Sequence, residues 1–66
     1  MYDYVLRTSL VEHKVIDIMY LKGMEITQRK IKVLKINDNN IEAYCYLRKS
    51  VRHFKKDNIL AAMYTH

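Results

Sequence analysis

From Val15 onward the apolar residues recur at every second position, and that period is the one a β-sheet imposes. In Val15-Ile16-Asp17-Ile18-Met19-Tyr20, the side chains of Ile16, Ile18 and Tyr20 fall on one face of a strand. Ile31 and Val33 continue the alternation within residues 26–36 until Leu34 and Ile36 take it over, a change of face that predicts a β-bulge or bend near Val33-Leu34. In the next stretch Ile41, Ala43, Cys45 and Leu47 share one face, and Glu42, Tyr44, Tyr46 and Arg48 the other. Turn chemistry separates these runs. Gly23 takes positive φ without a Cβ clash, as a tight hairpin needs. Asn37-Asp38-Asn39-Asn40 is rich in side chains that bond their own backbone and tolerate the left-handed region. Lys49-Ser50 supplies the following turn. The predicted strands span about 14–20, 26–36, 40–47, 51–55 and 59–63; for Ile59-Leu60-Ala61-Ala62-Met63 a short helical turn fits as well as a strand. Before His13 the period is different. Tyr2, Val5, Leu6, Leu10 and Val11 recur at three- and four-residue spacing, with Asp3 placed for the positive end of a first turn, which predicts a short helix over 3–12. The expected fold is mainly β with one helix (α+β), a small and strongly bent antiparallel sheet or barrel of about five strands.

With 66 residues, no proline and a single glycine, nothing in the chain builds a long linker, so residues 1–66 read as one domain. Below about 70–80 residues a single core rarely supplies more than ~3–5 kcal/mol. One cysteine, Cys45, leaves no internal disulfide to add to it, so partner contacts are expected to contribute to stability. The net charge is +5 and unevenly placed. Residues 1–25 carry three Lys or Arg against four acids, whereas residues 26–66 carry nine against three, so an anion site is expected in the second segment. No apolar run reaches the roughly 18–20 residues of a membrane span. Met1-Tyr2-Asp3-Tyr4 lacks the basic and apolar regions of a secretory signal, and with the lone thiol this predicts a reducing, cytoplasmic setting without membrane contact.

The order of residues is itself informative: Ile18-x-Tyr20, Gly23, Arg29-x-Ile31-x-Val33-Leu34, Ala43-Tyr44-Cys45, then Arg52-x-Phe54-x-x-Asp57-x-Ile59. Over about residues 6–62 this resembles the WYL domain of bacteria, most specifically in the Ala-Tyr-Cys strand and the Arg-x-Phe-x-x-Asp-x-Ile that follows it. The resemblance implies an Sm-like, SH3-type bent sheet behind a short helix, serving as the sensor module of transcription regulators. It also implies a basic and aromatic pocket for a nucleotide or nucleic acid, and a winged-helix domain for which these 66 residues have no counterpart, so output is expected to pass through a partner. The chain departs from the pattern at several points. The Trp-Tyr-Leu of the family falls at Asn39-Asn40-Ile41, its usual proline at Val33, and its arginine before the last isoleucine at Asn58.

Arg48, Lys49, Arg52, His53, Lys55 and Lys56 surround Phe54 with no acid among them, a mixture suited to phosphates and stacked bases. Alternation places Arg52, Phe54 and Lys56 on one face of a strand and His53 and Lys55 on the other, so the cluster does not all line one pocket. The competing explanation is a charged edge strand protected against pairing. Arg29 matches the strand-two arginine of the resemblance and faces away from Lys30 and Lys32. Tyr44, two positions from Tyr46, is a candidate stacking platform, although tyrosines at that spacing commonly pack across strands. The candidate ligand-binding residues are therefore Arg52, Arg29, Arg48, Tyr44, Lys55 and Lys56. Phe54 and Tyr20 read as core.

His13, His53, His66 and Cys45 have no zinc-like spacing, and Cys45 sits on an apolar face that keeps a thiol neutral. No triad, carboxylate pair or Gly-rich phosphate loop assembles. The expectation is thus a non-enzymatic regulatory module, without metal or cofactor, binding a nucleotide or single-stranded nucleic acid. The alternative is a protein-interaction module, as a homo-oligomer or on a regulatory partner, its basic residues serving solubility.

Overall fold

A computed structural model describes residues 3–65; Tyr2 of the expected helix face and His66 of the expected metal donors lie outside them. The element order is α1 (Asp3–Glu12), β1 (Val15–Lys22), β2 (Glu25–Asn37), β3 (Asn40–Cys45), β4 (Ser50–Lys55), a 3-10 turn (Lys56–Asn58) and β5 (Ile59–Tyr64). All strand pairs are antiparallel in one sheet of order β4-β3-β2-β1-β5, so the mainly β fold with an N-terminal helix that the sequence predicts is the one adopted. No ladder joins β4 to β5, and the sheet is open with these strands as its edges.

Alternation explains which residues enter the core. Ile16 and Ile18 of β1, Ile31 and Val33 of β2, Ile41, Ala43 and Cys45 of β3, Phe54 of β4 and Ile59 of β5 are buried on the concave face, under Leu6 of α1. Each fully buried aliphatic or aromatic side chain of this kind is worth about 1.5–3 kcal/mol. The predicted bulge is present: the β2–β3 register shifts between Val33 and Lys35, leaving Leu34 as the extra, exposed residue. This shift restores Ile36 to the inner face opposite buried Ile41, so the apparent change of face keeps the apolar set on one side. Segment 59–64, open to two readings in the sequence, is a strand because it pairs with β1 over Ile16–Tyr20.

Three local features differ from the sequence reading. β1 runs on through Leu21 and Lys22, and Gly23-Met24 alone makes the hairpin, with φ +62° at Gly23 and Lys22 opposite Glu25. β3 stops at Cys45, so Leu47 is exposed instead of sharing the inner face. There the Tyr46 N–H turns back to bond the Lys30 carbonyl at 3.0 Å, and Lys49 closes the loop at φ +54°. On α1, Val11 points to solvent, and the residue buried beside Leu6 is Ser9. Its hydroxyl donates to the Lys14 carbonyl (2.6 Å) and accepts from the Val33 N–H (3.0 Å), which lets a polar group sit in the core without cost.

Candidate anion-binding site

Two inward-facing arginines begin the site. Arg29 lies opposite Ile18 and two residues before buried Ile31, which places it on the concave face where β2 runs past the core. Arg52 lies opposite Ala43 and two residues before buried Phe54, on the same face at the β4 edge. Both line a cleft of about 210 Å³ whose apolar part is Tyr20, Leu21, Cys45 and Phe54. Three turns complete it: Lys22-Gly23 from the β1–β2 hairpin, Arg48 from the 46–49 loop, and Asn58 from the 3-10 turn. Thr27 and His53 also line it.

Lys22, Arg29, Arg48 and Arg52 thus converge on one concavity with no Asp or Glu among its lining residues. Among the described residues, the ion pairs involve other cations: Lys14 with Glu12, Lys30 with Asp17, His53 with Glu42, and Lys56 with Asp3. Four cations without acidic partners in a small cleft create a positive potential that a solvated face of mixed charge does not.

The aromatic residues of the cleft are already engaged. Tyr20 meets Phe54 edge-on, with centroids 5.0 Å apart and planes at 83°, and its hydroxyl accepts the Lys55 backbone N–H at 3.1 Å. Phe54 is 6% exposed, core as expected, and Tyr20 packs against that core half-buried. Cys45 is buried at the cleft's floor.

Of the sequence candidates, the structure brings together Arg29, Arg48 and Arg52. Tyr44 pairs laterally with Lys32 and Val51 on the opposite, outer face, where it meets Tyr46 edge-on at 4.9 Å. Lys55 lies across the β4 edge, beside the Asn37–Asn40 turn. Lys56 is in the 3-10 turn, where its ammonium meets Asp3 Oδ1 at 2.7 Å. That contact ties the start of α1 to the link into β5, and the ammonium holds the Asp3 carboxyl below the usual carboxylate range. Sequence reading missed Lys22 because it assigned the residue to a turn in the acidic half of the chain. Its only signal was adjacency to the hairpin glycine. Among the described residues no group of three His, Cys, Asp or Glu gathers to hold a metal.

No family model and no curated protein matches the chain. Among solved structures it is similar to proteasome accessory factor B/C (PafBC) of Arthrobacter aurescens, with a TM-score of 0.83 at 22% identity. The match takes in 96% of this chain and 11% of that one, so the chain spans about a tenth of the neighbour's length. At that identity the likeness speaks for the fold.

Proposed function

We propose that this chain is a WYL-like ligand-sensing module that binds a nucleotide or short nucleic acid through Arg52, with Arg29 and Arg48 beside it. The observation that carries the reading is the convergence of these three arginines and Lys22 on a cleft that holds no acid. Arginine suits the task because its planar fork gives two parallel charge-assisted bonds to a phosphate. The order of motifs that resembles the WYL domain and the fold shared with part of PafBC support a regulatory role over a catalytic one. Output would pass through a partner that reads the liganded state.

Titration with labelled single-stranded DNA and RNA at low and physiological salt tests the proposal. Saturable binding is expected, weakening steeply with salt, and Arg52→Ala should weaken it about tenfold and reduce the salt slope by about one unit. Arg7→Gln, on the exposed face of α1, removes the same charge away from the cleft and should leave binding within twofold. Binding that ignores salt, or that survives Arg52→Ala unchanged, would overturn the assignment.

The interaction-module reading also has an observation in its favour. β5 is an edge strand without a single charged residue, and Leu60, Met63 and Tyr64 are exposed along it. Edges so composed pair readily. A concentration-dependent rise in sedimentation coefficient, abolished by Met63→Lys, would support self-association through it; a stable monomer would leave only a different partner.

A further inference from the structure

We infer that the cleft recognises a terminal phosphate group, a phosphomonoester or oligophosphate, in preference to the internal phosphodiesters of a strand. This deepens the proposed ligand binding and rests on it.

Charge is the first argument. Lys22, Arg29, Arg48 and Arg52 line one small cleft with no acid among its lining residues, whereas an internal phosphodiester brings a single negative charge. A phosphomonoester carries about −1.5 to −2 near neutral pH, and an oligophosphate carries more, so an end group compensates the cations better than a link in a chain.

Size agrees with charge. About 210 Å³ is below the roughly 300–1,000 Å³ of clefts that enclose a drug-sized ligand, so the cleft takes the phosphates and leaves the remainder of the molecule outside.

The cleft also lacks an open aromatic platform. Binders of single strands combine a basic groove with exposed aromatic faces on which successive bases stack. Here Tyr20 and Phe54 pack edge-on against each other, with the Tyr20 hydroxyl bonded to the Lys55 N–H. The more open aromatic pair, Tyr44 and Tyr46, lies on the opposite face of the sheet. Recognition therefore falls on the phosphates and is indifferent to the base.

Such a group occurs on a free nucleotide and on the phosphorylated end of a strand, and the two sources separate in one experiment. The full chain is titrated with a labelled pentanucleotide bearing a 5′-phosphate, the same oligomer with both ends hydroxyl, and nucleoside mono-, di- and triphosphates. Inorganic pyrophosphate competes, with sulfate at equal ionic strength as control. The phosphorylated oligomer is expected to bind at least tenfold more tightly than the hydroxyl form. Affinity should rise from mono- to triphosphate, pyrophosphate should displace the probe where sulfate does not, and a change of base should matter less than twofold. An oligomer far tighter than the matching monophosphate identifies the strand end as source, and the reverse identifies the free nucleotide. Lys22→Gln, at the exposed end of β1, and Arg48→Gln, on the 46–49 loop, both outside the core, should erase the preference while the fold persists by circular dichroism. Equal affinity for the two oligomers, both lost in Arg52→Ala, would overturn the terminal-phosphate inference and leave the binding role standing. No binding of any probe at low salt would overturn both.

Discussion

Ser9 occupies a core position because its hydroxyl serves two backbone groups at once, the Lys14 carbonyl and the Val33 N–H. Ser9→Ala leaves both without a partner in a buried place, and a loss of about 1–3 kcal/mol is expected from urea denaturation. Gly23 poses a purely local problem. At φ +62° with no heavy atom within 4 Å of where a Cβ would stand, Gly23→Ala meets no neighbour, so its cost is the backbone penalty alone, roughly 1–2 kcal/mol. Gly23→Asn should cost less, since asparagine tolerates this region, and thermal melts of the two variants check the order. These residues also mark what single-chain reading reaches. The role of Gly23 is local and was legible. Ser9 bonds a strand residue 24 positions away, and no pattern around it announces that contact. The site divides similarly: Arg29 and Arg52 follow from alternation, whereas Arg48 enters the cleft only because β3 ends early and its turn redirects the side chain.

Elements are held in place by small polar ties. Asn39, at the tip of the β2–β3 turn, accepts the Lys56 N–H at its carbonyl (2.7 Å) and the Asp57 N–H at Oδ1 (3.1 Å), and donates from Nδ2 to Asp57 Oδ2 (3.1 Å). One side chain thus fixes the 3-10 turn that carries Asn58 into the cleft and launches β5. Asn39→Ala removes two of the three bonds, and a loss of about 1–2 kcal/mol is expected, shared non-additively with Asp57→Ala in a double-mutant cycle. The Asp3–Lys56 pair gives the opposite side of the same turn a dependence on pH. Because Lys56 lowers the Asp3 carboxyl, the folded state binds this proton less readily than the unfolded chain. The stabilisation is complete above the ordinary aspartate value near 3.9 and is withdrawn as pH falls through the lower folded value. The melting temperature of Asp3→Asn should therefore depend less on pH below about 4 than that of the parent chain. Leucine, alanine and methionine leave Ile59-Leu60-Ala61-Ala62-Met63 open to strand or helical turn in the sequence. Pairing with β1, a tertiary fact, settles it.

Across the whole molecule, a radius of gyration of 10.5 Å is close to the ~11 Å expected of a folded chain this long, so the chain is as compact as an ordinary folded domain of its length. Ile18 is fully buried at its centre, opposite Arg29 and Ala62. Ile18→Ala should cost about 2–5 kcal/mol, comparable to the ~3–5 kcal/mol such a chain has in total, so extensive unfolding by near-ultraviolet circular dichroism at 25 °C is expected. If a phosphate ligand stabilises the native state, a saturating concentration should raise the melting temperature of the milder Ser9→Ala by mass action. The overall architecture was legible because a period of two, a few turn residues and one short helix leave few ways to bury the apolar face. The cleft was less so, since it lies where segments distant in sequence meet. Lys22, Arg48 and Asn58 line the rim of the cleft from positions that the core does not use, so under the proposed function their exchange alters ligand preference at little risk to folding. The scaffold and the chemical vocabulary of its cleft are in that sense separable.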